Sequence, residues 1–228
     1  MHGDIAHALY QSGMLEVLLE RVGAPPLVYS GGTSAINALL MCSGSVASLR
    51  QGWEELRKQH LLFETAIEQA PLLRPVINGH NTLTFFVDSQ LSQHRFDAAT
   101  VNLLLMCGDR YLSVPSSGRT SDTRTVALTS LAQHDTGPWP WIRAIEHAAT
   151  SGVDRILMLG LEDTIARSAD LLRATERARE QRVEIDALGF DSAEKPGLLD
   201  FLLPGSGTPE RLMRDGREAA LCWVEERD

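Results

Sequence analysis

Leu27-Val28-Tyr29-Ser30-Gly31-Gly32-Thr33-Ser34-Ala35-Ile36-Asn37-Ala38-Leu39-Leu40 decides how the chain is read: a short apolar strand runs into two glycines, and a serine opens the next helix. The first amides of a helix have no partner inside it and lie at the positive end of its dipole, so a side chain or anion there meets free donors. Such a turn is expected to aim Ser34 at solvent, as suits a nucleophile. In acyl-transfer enzymes the pattern is usually G-x-S-x-G, with glycine where the backbone turns tightly. Here it reads Gly32-Thr33-Ser34-Ala35-Ile36, without the second glycine. The plainer alternative is that Thr33 or Ser34 only caps the helix.

Upstream, His7-Ala8-Leu9-Tyr10-Gln11-Ser12-Gly13-Met14-Leu15-Glu16-Val17-Leu18-Leu19 resembles the first helix of patatin-like acyl hydrolases, R/K-G-A-Y-Q-A-G-V-L-E-A-L-L. The turn itself resembles their G-T-S-A-G-A-I-N-A, with Gly32-Thr33-Ser34-Ala35 running straight into Ile36-Asn37-Ala38 as though two residues had been deleted. His134-Asp135-Thr136-Gly137-Pro138, with the stretches around Ala144-Ile145-Glu146 and Arg155-Ile156-Leu157, is similar to the family's D-G-G/A turn, its next helix and a later strand. The tail, Leu199-Asp200-Phe201 and Glu210-Arg211-Leu212-Met213, looks like its closing helix. The likeness is specific near Ser34, thinner about Asp135 and weak between residues 60 and 130.

The resemblance implies a Ser/Asp dyad, with Ser34 as nucleophile and Asp135 as the base that takes its proton. Partial burial would raise the proton affinity of Asp135 and improve it as a base. By itself, Asp135 reads as an ordinary turn aspartate. His134 is a further base candidate, but neighbours on an extended strand point to opposite faces, so both are not expected at Ser34. The family's oxyanion loop, G-G-G-x-R/K-G, falls on Gly3-Asp4-Ile5-Ala6-His7-Ala8. Gly3, Asp4 and Ile5, with Gly32 and Ala35, would then line the oxyanion and substrate position. One glycine survives there, Asp4 adds a negative side chain, and losing a single oxyanion donor costs roughly 10² to 10³ in rate. The family's leading strand would precede this loop, where only Met1 and His2 stand. The sheet therefore lacks a central strand, or another chain supplies it, or the start is truncated.

At 228 residues and 43% hydrophobic, the chain is expected to form one domain, 1–228, around one core. A net charge of −9 disfavours nucleic acid as a partner. Arg50, Arg57 and Lys58 share a helix with Glu54 and Glu55 and read as a solvated face. Cys42, Cys107 and Cys222 are too far apart for a disulfide framework or zinc site, which suits a reducing, cytoplasmic setting. The histidines show no ligand pair on one helix face, so neither metal nor cofactor is expected. No segment is long enough to span a bilayer. A lipid or other ester would be met as a monomer or in transient membrane contact, and a homo-oligomer or partner chain is one way to complete the sheet.

Periodicity predicts a helix over 5–22 ending at Gly23, a strand over 27–30, and an amphipathic helix carrying Val46, Leu49, Trp53, Leu56 and Phe63, with Trp53 in the core. Strands are expected at 83–87, at 101–106 (buried on both faces) and at 155–159 (also buried), with a mobile loop at 113–125. A charged helix is expected over 163–182, with Ile165, Ala169, Leu172 and Ala178 along one side, and another helix starts at Thr208-Pro209-Glu210. The alternation implies an α/β three-layer sandwich with a mostly parallel central sheet, patatin-like in arrangement, and ligands at the strands' carboxyl ends. Three functions fit: a serine acyl hydrolase acting on a lipid or other ester; the same fold without hydrolysis, kept for acyl-ligand binding or regulation; and a phosphate cradle at Gly31-Gly32-Thr33-Ser34, which lacks the lysine of a P-loop.

Overall fold

A computed structural model describes residues 1–41, 45–58, 87–88, 101–114, 121–132, 137–191, 196, 200 and 207–227. Along these the chain forms β1 (His2–Gly3), α1 (Ile5–Arg21), β2 (Leu27–Gly32), α2 (Ala35–Leu40), α3 (Val46–Lys58), β3 (Asn102–Cys107), β4 (Arg110–Val114) and α4 (Ser121–Leu131). Beyond them lie α5 (Trp139–Thr150), β5 (Arg155–Glu162), α6 (Asp163–Ala166), α7 (Ala169–Glu180), β6 (Glu184–Phe190) and α8 (Thr208–Glu225).

The architecture is α/β, with a mostly parallel sheet and helices on both sides. β1, β2 and β3 lie side by side and parallel, and β4 closes that edge antiparallel to β3. β5 and β6 form a parallel pair on the far side of β1. Gln11 ties the two groups together, its Nε2 donating to the carbonyls of His2 (3.2 Å) and Leu159 (2.9 Å). One apolar cluster gathers α1, α2, α3 and α8 against β2, β3 and the end of β6. A second packs Trp141, Ile142 and Ile145 of α5 and Leu171, Ala174 and Ala178 of α7 against Met158 and Leu161 of β5.

α1 is buried almost all round, as befits a helix between a sheet and another helix. Its neighbour α8 crosses it at close range: a Cβ on Gly13 would lie 1.9 Å from the Met213 carbonyl oxygen, and one on Gly216 would lie 2.0 Å from that of Tyr10. Glu16, on the same helix and buried, is met by Arg50 Nε at 3.0 Å and Arg217 Nη2 at 2.7 Å, so α3 and α8 are both anchored to it. Arg50 is thus more than part of a solvated face. Trp53 is core, as expected; its indole N–H donates to Asn37 Oδ1, and Asn37 Nδ2 donates to the Ala8 carbonyl, both at 2.8 Å.

Several sequence expectations need correction. The loop expected over 113–125 is instead the end of β4 and the start of α4, around residues 115–120, which lie outside the described residues. Ser113 belongs to an edge strand, and Ser121, Thr123 and Thr125 to the start of a helix, which the same composition also suits. The charged helix breaks at Arg167 and restarts behind Ser168, whose hydroxyl accepts from the Leu171 amide. That break shifts the buried face to Leu171, Ala174, Thr175 and Ala178, leaving Leu172 49% exposed. Val87 is helical rather than the end of a strand, with 83–86 outside the described residues, as are Phe63 and Cys42. β3 carries an exposed Asn102 and half-buried Leu104, and β5 begins on exposed Arg155, so neither is buried along its whole length. Cys107 and Cys222 are free thiols. No helix among the described residues is long and apolar enough to cross a membrane.

Candidate functional site

The sheet's carboxyl end brings together six of the seven residues singled out from sequence. Gly3, closing β1, pairs with Gly32, closing β2. The Ser34 amide donates to the Gly3 carbonyl at 3.4 Å, and Asp4 and Ile5 come directly after Gly3 as Ala35 does after Ser34. Asp135, with His134, lies in 133–136, outside the described residues.

The turn differs from the expected one in a way that bears on chemistry. Its left-handed residue is Gly32, at φ +61°, a conformation that costs any residue with a Cβ. By Ser34 the backbone is already helical (φ −61°, ψ −18°), and the side chain is buried, at 0% exposure, rather than aimed at solvent. The tip of the turn is two residues earlier than the serine, so Ser34 faces protein. Nor is Ser34 the side-chain cap of the plainer reading: its hydroxyl makes no capping bond, and Oγ has no hydrogen-bond partner among the described residues.

Facing this turn is the start of α1, where Asp4 is the N-cap. Its Oδ1 accepts from the amides of Ala6 (3.0 Å) and His7 (3.2 Å), and from His7 Nδ1 at 2.8 Å. The other ring nitrogen of His7, Nε2, lies 2.8 Å from Glu162 Oε1 at the end of β5. Only an imidazolium can donate to both carboxylates at once. The ring packs on Phe190, at the end of β6, with centroids 4.5 Å apart. Gly3 is held at φ +146° under that ring, and a Cβ on it would lie 2.4 Å from His7 Cγ. The three strand ends β1, β5 and β6 are therefore closed over by one Asp4–His7–Glu162 clamp.

Glu162 and Phe190 escaped sequence reasoning; the one available signal was that each ends an apolar strand. The clamp reverses the expected electrostatics of the loop. Helix amides that would welcome a negative oxygen are taken by the Asp4 carboxylate, and Glu162 places a second carboxylate on the same imidazole. No group of three or more potential metal ligands occurs among the described residues. The chain matches no protein-family model, no curated protein and no solved structure.

Proposed function

We propose that the chain is a patatin-like fold that holds an acyl or ester ligand without hydrolysing it. The observation that carries this reading is the position of Gly32. A nucleophile on a strand-to-helix elbow sits at the strained tip, where the side chain clears the backbone on both sides. Here that place is held by a residue with no side chain. The family motif also fits without any deletion when Ser30-Gly31-Gly32-Thr33-Ser34-Ala35-Ile36-Asn37-Ala38 is set on G-T-S-A-G-A-I-N-A, and Gly32 then stands for the serine. The Asp4 cap supports the same reading, because it takes up amides an oxyanion would need.

A hydrolase using Ser34 and Asp135 remains as a second reading, favoured by one observation: the buried Ser34 Oγ has no hydrogen-bond partner among the described residues, which do not include Asp135. A buried hydroxyl without a partner costs about 1–3 kcal/mol, which a catalytic role would account for. A fluorophosphonate probe and a p-nitrophenyl ester assay on the parent chain, Ser34→Ala and Asp135→Asn separate the two. No Ser34-dependent labelling or turnover in folded protein, with long-chain fatty acids raising Tm, is the expected result. Labelling abolished by Ser34→Ala restores the hydrolase.

A further inference from the structure

The clamp over the strand ends places one imidazole between two carboxylates, and the two arms are not held alike. Asp4 is fixed at the start of α1, where its Oδ1 accepts from the amides of Ala6 and His7 as well as from His7 Nδ1. Glu162 stands at a weaker point of the chain. Two residues before it, Gly160 turns to φ +72°, and the pairing of β5 with β6 slips between Leu159 and Leu161. After it comes α6, a single turn with no buried residue, whose Ile165 and Ala166 pack only in part on the second apolar cluster. Glu162 precedes that turn in the capping position, but its side chain makes no capping bond and is turned to His7 instead.

We propose that Asp4, His7 and Glu162 form a proton-operated latch. When His7 loses its shared proton, the Glu162 arm lets go and residues 160–167 swing clear of α1, while the Asp4 arm stays closed. A neutral imidazole has one N–H. Asp4 keeps it on Nδ1, because that carboxylate is already placed by two backbone amides. Nε2 then presents a lone pair to Glu162 Oε1 across 2.8 Å, and two acceptors face each other where the side chains are only 6% and 17% exposed. The bulge at Gly160 lets the end of β5 yield without unpairing the rest of the strand.

Only the charged ring makes both contacts, so the two carboxylates outweigh its burial and place the change above the ordinary histidine value of about 6.5. Among the described residues, the titratable groups on the elements around the ring are Asp4 and Tyr10 on α1, His2 on β1, Glu162 and Asp163 where β5 ends, and Asp191 after Phe190 on β6. The acids among them all favour the charged ring. The clamp's contribution is full below the unfolded histidine value and is lost as pH rises through the native one. That sign is opposite to the one at the buried Met1 amine, which desolvation pushes down to about 5.

The test is hydrogen–deuterium exchange of the full chain at about pH 6 and about pH 9, corrected for the intrinsic effect of pH on exchange, with the ring-nitrogen resonances of His7 titrated alongside. Protection over residues 160–167 is expected to fall at least about tenfold, with the midpoint of the His7 titration, while residues 14–19 of α1 keep theirs. Glu162→Gln is the discriminating variant: its amide accepts from the charged ring and donates to the neutral one, so protection is expected to be the same at both pH values. His7→Ala is expected to be open over 160–167 at both. Equal protection at the two pH values in the parent chain, an undiminished fall in Glu162→Gln, parent-like protection in His7→Ala at about pH 6, or a His7 midpoint at or below about 6.5 overturns the proposal.

Discussion

The two ends of the sheet are built on opposite principles. At the carboxyl end the described polar groups are spent on one another: Asp4 caps α1, His7 joins Asp4 to Glu162, and the Ser34 amide donates to Gly3. At the amino end lies a largely apolar cavity of about 700 Å³, lined by Leu18 and Leu19 of α1 and Trp141 and Ile145 of α5. In open α/β sheets the carboxyl end is where ligands gather. Here that end places two carboxylates, Asp4 and Glu162, on one imidazole, and the apolar cavity lies at the other end. Sequence motifs mark only the first.

Both ends depend on α1, which starts at the clamp and runs to the cavity, so the largest loss is expected from lifting α1 off α8. Gly13→Val or Gly216→Val puts a side chain inside backbone of the facing helix and is expected to cost more than about 5 kcal/mol, leaving no cooperative unfolding transition. Gly152→Ala, where φ is +75° but nothing lies within 4 Å, is the control and costs about 1 kcal/mol. Next in size is the amino end's response to pH. The unfolded amine takes up its proton near pH 8 and the native one only near 5, so the unfolded state binds more protons in between. Stability therefore rises from pH 5 to pH 8, by at most about 4 kcal/mol. Urea melts across that range check it, and acetylation of Met1 is expected to flatten the rise.

How much of this was legible in the sequence is decided by the same physics. α1, β2, the break at Gly23 and the start of α8 could be read because glycine, proline and a 3.6-residue apolar repeat act locally. β4 and α4 were missed because the serines and threonines at 113–125 suit a loop, an edge strand or a helix start equally, and pairing with β3 decides among them. At the site, Gly3, Asp4, Ile5, Gly32, Ser34 and Ala35 lie side by side because β1 and β2 pair and end together. The direction of the serine was not, because a positive φ at Gly32 rather than beside Ser34 is a choice between two adjacent glycines that spacing does not make. Glu162 was out of reach: its partnership with His7 spans 155 positions and depends on β5 lying next to β1.

At the carboxyl end, His7→Ala removes the imidazole that joins Asp4 to Glu162. The expected loss is about 2 kcal/mol by urea denaturation, part of it recovered by adding Glu162→Gln. If closure of this end is what excludes hydrolysis, neither variant gains fluorophosphonate labelling at Ser34. Gain of labelling would show that the clamp, rather than the misplaced serine, silences the turn.

The smallest effect is expected at the rim of the cavity, where Arg155 and Trp223 line it. Asp186 on β6 accepts from Arg155 Nη2 at 2.6 Å and Arg227 Nη2 at 3.0 Å, and both guanidiniums lie over the Trp223 ring. The hydrogen bond from Arg155, ahead of Arg227, holds the Asp186 carboxyl below its ordinary value of 3.8. A depressed carboxylate stabilises the fold above its unfolded pKa, and that contribution is lost as pH falls through the lower native one. Because these groups are partly exposed, Asp186→Asn is expected to cost less than about 1 kcal/mol at pH 7 and to shallow the acid limb below about pH 4. Added salt at about 0.5 M should mimic most of it, since exposed pairs are screened over a few ångströms. Arg155 opens β5 and Glu162 closes it, so Asp186→Asn frees the start of that strand beside the apolar cavity and leaves the clamp around His7 at its other end unchanged.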